Sequence, residues 1–321
     1  MMPNNKELTK VPQKAVRVKN TIDLTAVFLK QLDRSPQTIR TYSVGLKRFL
    51  SWIEDRGDIQ RLDKSTILDF RQFLQEDKNT ALTINTYLAG VKSFFDWLEE
   101  EGIHKNIAKD VRSMGRPHGY LREEIGEDDL RSLFNKWEFN KMEDARDFAL
   151  LQLLARCGLR SIEVVRSKIG DISQKGGRRI LKIQGKGSDT KDKFVVLTDA
   201  AYLPIMAYLK ATKRTLDDKD QSIFISHSDR NPGEGITTRT VSRIAANRLK
   251  AAGIKNKQRS THSFRHSFAS MAVRKGIGVF DLKNALRHAD ISNTLVYVHD
   301  QSVIDNPIWD SINWDEQEKQ K

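Results

Sequence analysis

Reactive side chains gather in the second half of this 321-residue chain. Gly158-Leu159-Arg160-Ser161-Ile162-Glu163 sits where an apolar helix ends, and Lys186 lies in the link Gly185-Lys186-Gly187 between two strand-like runs. Thr261-His262-Ser263-Phe264-Arg265 opens another apolar helix, Leu286-Arg287-His288 closes one, and Tyr297 follows His288 by nine residues. Arginine forks and an ammonium suit a phosphate, imidazoles move protons, and a phenol can act as a nucleophile. Taken singly, each has an ordinary reading. Arg160 is a cation favoured by a helix C-terminus, Lys186 a solvated turn, and Tyr297 a core or rim tyrosine. His262 and His266 lie four apart, as helical metal ligands can, but Ser263 stands where the acid of His-Glu-x-x-His belongs, so no metal is expected. Gly185-Lys186 does not make a phosphate-binding P-loop, because Ile180 replaces its first Gly and Gly187 its Ser/Thr. No nucleotide cofactor is expected.

Composition points toward a polyanion. Lys and Arg number 55 against 42 Asp and Glu, a formal charge of +13, and such cations neutralise phosphates and release counterions. Residues 1–20 carry net +4, whereas residues 301–321 carry net −3, the wrong sign for DNA. Hydrophobic residues make up 38%, enough to build real cores. Cys157 is the only cysteine, which excludes an internal disulfide framework and a multi-cysteine zinc site. No run approaches the ~20 apolar residues that span a bilayer. No apolar run follows the charges of Met1 to Asn20 either, so the expected compartment is the cytoplasm, with the protein on the nucleoid.

The elements that must position these residues fall into two groups. Ser35-Pro36 is a helix start, Ser as N-cap and Pro at the first turn. Ile39, Tyr42, Leu46, Phe49, Leu50 and Ile53 then share one face. Further helices are predicted from about Ser65 and from about Thr83, where Phe94 and Phe95 read as core rather than as base-stacking platforms. This predicts a helical bundle over 21–111, preceded by a basic tail over 1–20. Arg112 to Tyr120, with two Gly, one Pro and no apolar period, reads as a linker over 112–120. Residues 121–302 read as a mostly helical α+β domain. Its strands are Ile180–Gln184 and Lys193–Leu197, and its helices fall at about Asp144–Cys157, Ala200–Ala211, Thr238–Ala251, Ser263–Lys275, Val279–Leu286 and Ser292–Val298. A tail follows over 303–321.

The ordered set resembles the tyrosine recombinases, the phage-integrase family. That family's pattern is an Arg with an acid three residues on, a hairpin Lys, His-x-x-Arg, a His after Leu-Gly, and a Tyr nine residues later. Here these are Arg160 with Glu163, Lys186, His262 with Arg265, His288, and Tyr297. The resemblance is close over about 122–299 and weaker in the first domain, which is similar to the family's core-binding domain. Two residues depart from the pattern: Arg287 replaces the Gly before the second His, and Asn106 is followed by Ile107 rather than Pro. Arg287 is expected to shift His288 or to add a phosphate contact.

The resemblance implies a C-shaped clamp around duplex DNA and a site-specific recombinase of the simple two-domain type, Xer-like or from a mobile element. Tyr297 would be the nucleophile, forming a 3′-phosphotyrosine that stores the bond energy for religation. Arg160 and Arg265 would clamp the non-bridging oxygens, Lys186 protonate the leaving 5′ oxygen, His262 assist proton transfer at Tyr297, His288 donate a hydrogen bond to the phosphate, and Glu163 orient the cluster. Strand exchange would pass through a Holliday junction in a homotetramer, serving integration, excision or resolution, with an accessory or partner recombinase possible. The apolar residues of the tail (Ile304, Ile308, Trp309, Ile312 and Trp314) would dock in a neighbouring protomer. Competing readings are a type IB topoisomerase, a metal-dependent nuclease and a non-catalytic DNA-binding protein.

Overall fold

A computed structural model describes residues 18–54, 59–115, 123–185 and 188–305, with side chains from 23 to 298 apart from residue 60. Lys186, the basic tail up to residue 17, and Ile308, Trp309, Ile312 and Trp314 lie outside the described residues, as does the side chain of Ile304. The chain divides into two compact units, Met1–His118 and Gly119–Lys321.

The first unit is built from α1 (Val18–Gln31), α2 (Pro36–Ile53), α3 (Lys64–Glu76) and α4 (Ala81–Glu100). Each of the last three starts on a side chain that satisfies an orphan backbone N–H. Ser35 Oγ accepts from Thr38 N at 3.3 Å, Asp63 Oδ1 from Thr66 N at 3.1 Å, and Thr80 Oγ1 from Thr83 N at 3.3 Å. Leu46, Phe49 and Ile53 of α2 are buried against Phe70 of α3 and Phe94 and Phe95 of α4. The aromatic residues therefore form core, as their helical spacing predicts. Helix α1, absent from the sequence prediction, closes the bundle with Phe28, whose ring lies 5.5 Å from that of Phe94. Helices α2 and α4 approach closely at two glycines. A Cβ on Gly45 would lie 2.7 Å from the Tyr87 carbonyl oxygen, and one on Gly90 would lie 2.9 Å from that of Tyr42.

The second unit carries α5 (Glu127–Asn135), α6 (Met142–Cys157), α7 (Ser161–Val165), strands β1 (Ile172–Lys175), β2 (Arg178–Ile183) and β3 (Lys193–Val196), then α8 (Asp199–Ala211), α9 (Thr238–Ala251), α10 (Thr261–Arg274), α11 (Val279–Leu286) and α12 (Ser292–Asp305). The sheet is an antiparallel meander in the order β1-β2-β3, with Leu181 opposite both Ile172 and Val195. Strand β1 adds to the two predicted strands. Its Ile-Ser-Gln-Lys run is only half-buried, so the apolar signal is weak. The turn signal is clear: Gly176 and Gly177, at φ +55° and +72°, make the two-residue hairpin that mirror-image turns require. Helix α6 is buried nearly all round, with Leu150, Leu151, Leu153 and Leu154 wholly enclosed, and it packs against α8 and α10. It forms the rigid post from which the reactive segment departs. Helix α12 runs on to Asp305, seven residues beyond its predicted end.

Candidate active site

Helix α6 ends on Gly158, which adopts the left-handed conformation at φ +56°. This position demands glycine twice over, because a Cβ there would also sit 2.6 Å from the Phe268 ring. The reversal places Arg160 ahead of α7 and frees the Gly158 carbonyl, which becomes the hub of the site. Arg265 Nη1 donates to that oxygen at 2.5 Å and Arg287 Nη2 at 3.1 Å. Arg265 Nη2 donates in turn to the Leu286 carbonyl. The ends of α6 and α11 are thereby tied to the first half of α10.

Glu163 is wholly buried between two arginines. Its Oε1 lies 2.9 Å from Arg160 Nη1, and its Oε2 lies 2.9 Å from Arg287 Nη2. The Arg160 backbone N–H donates to Oε2 at 2.8 Å. Burial alone would raise this carboxyl, but the charge and hydrogen bonds of Arg287 and Arg160 outweigh it and hold Glu163 below its ordinary range. Arg265 moves the other way. Burial, reinforced by the positive charges of Arg160 and Arg287, pushes its guanidinium down to about 9, so it remains charged at pH 7. Three guanidiniums against one carboxylate leave a surplus of positive charge on which a phosphate can settle.

Arg287 does not reach outward. It takes the left-handed conformation at φ +57° and turns its side chain inward, only 4% exposed. His288 follows with Nδ1 2.8 Å from the Thr294 hydroxyl. Burial first, then Arg265 and Arg160, push its imidazole down to about 4, so it is neutral at pH 7.

Tyr297 projects from α12 and is 5% exposed, packed among Ala269, Leu282 and Leu286. Its hydroxyl lies 3.0 Å from His266 Nδ1. The resemblance implies His262 as the residue beside Tyr297, and the spacing of His262 and His266 alone suggests only a metal pair. In the structure His262 stands exposed in the first turn of α10, and His266, one turn further along and half-buried, meets the hydroxyl. The four-residue spacing of the two histidines carried this information, because both lie on one face of a helix. Arg160, Glu163, Arg265, His288 and Tyr297 thus come together from segments spread over 160–297.

Comparisons with known proteins bear on the same residues. The profile described as "Phage integrase family" matches residues 123–302, more than half of the chain, and that of the family's N-terminal SAM-like domain matches residues 26–102. A "Tyrosine recombinase XerD" of Listeria monocytogenes serotype 4b is 27% identical over 272 residues, 83% of this chain and 88% of that protein. The XerD of Pseudomonas putida is 28% identical over 197 residues, 61% of this chain and 63% of that protein, so under two thirds of its length is covered. Among solved structures, the XerH site-specific recombinase bound to palindromic difH substrate aligns with a TM-score of 0.70 at 20% identity, over 90% of this chain and 85% of that one. A lambda integrase dimer bound to a COC′ core site aligns at 0.69 and 17% identity, over 96% and 82%. These structures share the fold: a helical N-terminal domain followed by a mixed domain with a small sheet. No helix among the described residues is long and apolar enough to cross a membrane.

Proposed function

The chain belongs to the phage integrase family of tyrosine recombinases, and from that premise we propose that it cuts and rejoins DNA at specific sites through a covalent phosphotyrosine. The observation that carries the proposal is the clustering of Arg160, His288 and Tyr297 around Arg265, which is tied to the Gly158 carbonyl, with Glu163 holding Arg160. Chemistry on a phosphodiester needs a nucleophile, neutralisation of charge on the non-bridging oxygens, and a proton for the leaving group.

Tyr297 Oη attacks the scissile phosphorus, giving a 3′-phosphotyrosine. The 5′ oxygen leaves with a proton from Lys186. Arg160 and Arg265 bind the non-bridging oxygens, where preorganised donors of this kind are worth several kcal/mol, roughly 3–4 each. His288 donates a hydrogen bond to the same phosphate from Nε2, its Nδ1 held by Thr294. His262 stands exposed in the first turn of α10. The phosphotyrosine stores the bond energy, so the 5′-hydroxyl of a second duplex reverses the step and joins the strands. Both units engage the duplex, and four protomers pair two sites through a Holliday junction.

The acidic, apolar segment after α12 docks on a neighbouring protomer in that assembly. Truncation after Asp305 is expected to leave binding to a single site intact and to weaken pairing. Normal tetramer assembly by the truncated protein in a native gel shift would refute the docking role.

The test of the reaction is covalent trapping. Wild-type protein is incubated in chelator with nicked DNA carrying a site it binds, then run on a denaturing gel. An adduct formed by wild type and not by Tyr297→Phe supports a metal-independent phosphotyrosine. Activity lost in chelator would favour a metal-dependent nuclease. Adduct formation with relaxation of supercoiled DNA, but with no joining of two sites, would favour the topoisomerase reading.

A further inference from the structure

We propose that His266 is a catalytic residue: its Nδ1 accepts the phenolic proton of Tyr297 as Oη attacks the scissile phosphate. The inference rests on the phosphotyrosine reading above and assigns the base within it.

Geometry supplies the first argument. His266 Nδ1 lies 3.0 Å from Tyr297 Oη, inside the distance a general base requires. The two rings lie 5.5 Å apart, and Tyr297 is buried in one cluster with Ala269, Leu282 and Leu286. The hydroxyl is thus presented to this nitrogen by a packed wall rather than by a surface rotamer. His262, the residue at the matching position of His-x-x-Arg, lies one turn away and is exposed.

The surroundings supply the second. His266 is faced by His262 and Arg265 from its own helix, by Tyr297 from α12, by His288 beyond α11, and by Glu124 from the segment ahead of α5. Burial first, then the two neighbours on α10, push the imidazole down to about 4, with Glu124 opposing. The ring is therefore neutral at pH 7, with one nitrogen free to accept. Binding of the scissile phosphate brings negative charge among the same cations, which moves the imidazole back toward its ordinary range and strengthens it as a base.

The step balances. The Tyr297 O–H bond breaks and its proton passes to Nδ1, whose ring already carries a proton on Nε2. The P–Oη bond forms as the bond from phosphorus to the 5′ oxygen breaks, and the leaving oxygen takes the Lys186 proton. On rejoining, the imidazolium returns its proton to the departing phenolate.

The test measures single-turnover adduct formation on nicked DNA from pH 6 to 10, for wild type, His266→Asn and His262→Asn. An Asn amide keeps a hydrogen-bonding group near the Nδ1 position and cannot take the proton. His266→Asn is expected to be slower by roughly 10²–10⁴-fold at pH 7. Its deficit should shrink toward the alkaline end, where solution base can take the phenolic proton in place of the imidazole. His262→Asn should show no such closing of the gap. A His266→Asn deficit that is absent, or constant across the range, would overturn the proposal. If His266→Asn fails to bind DNA in a gel shift, His266→Gln is read by the same criteria. Absence of adduct from wild type on DNA it binds would instead overturn the phosphotyrosine reading beneath it.

Discussion

Arg287 and Glu163 form a buried ion pair, Nη2 to Oε2 at 2.9 Å, across 124 residues of chain. Its cost is visible in the backbone. Arg287 sits at φ +57°, a region where a side chain costs roughly 1–2 kcal/mol and glycine nothing. The pair and the bond from Arg287 to the Gly158 carbonyl offset that strain. Glu163 also holds Arg160, so the pair braces from the rear the side chain proposed to bind phosphate. Arg287→Ala keeps the strain and removes the pair, so it should destabilise the second unit by about 3 kcal/mol. Arg287→Gly should cost about 1 kcal/mol less than Arg287→Ala, since the strain goes too. Urea unfolding midpoints check both. Wild-type stability in Arg287→Ala would mean that Glu163 gains nothing from its partner.

Stability should depend on pH through two imidazoles. His266 and His288 are held at about 4, mainly by burial and then by neighbouring cations. In the unfolded chain both titrate near the ordinary value of about 6.5. Between those values the unfolded state takes up protons that the folded state refuses, so stability falls as pH drops from about 6.5 toward 4 and is flat just above 6.5. Melting temperatures at pH 7.5 and 5.0 measure the difference, and His288→Asn should reduce it. An unchanged melting temperature at pH 5.0 would count against neutral, buried imidazoles.

The crossing of α2 and α4 makes a prediction for the first unit. Ala at Gly45 or Gly90 would press a methyl onto the facing backbone, at 2.7 and 2.9 Å. Overpacking of this kind costs roughly 1–3 kcal/mol, against which the better helix propensity of Ala returns about 1 kcal/mol. Each substitution should lower the unfolding midpoint of the first unit. A raised midpoint would show that the helices separate freely.

Much of this architecture is legible from local rules. Ser35-Pro36 marks the start of α2, and α9 spans Thr238–Ala251, the range its apolar period predicts. Helix α1 escapes because Phe28 finds its partners, Phe94 and Trp97, some 70 residues away. Strand β1 escapes because its residues are half-polar, although the Gly-Gly turn beside it is plain. Of the site, the spacing of Arg160, Glu163, Arg265, His288 and Tyr297 is legible, but their mutual contacts are not. Two residues gain their meaning only in three dimensions. Arg287 reads as an anomaly until the fold brings it to Glu163. His266 reads as a spare histidine until α12 lays Tyr297 across α10.

The most direct test of the account is to identify the atom that holds the DNA. Wild-type protein is trapped on a nicked substrate, digested with nuclease and protease, and the modified peptide sequenced by mass spectrometry. The expected product is a nucleotide joined through its 3′-phosphate to Tyr297, with no modified peptide from Tyr297→Phe. A phosphate on another residue, or an adduct that survives in Tyr297→Phe, would contradict it.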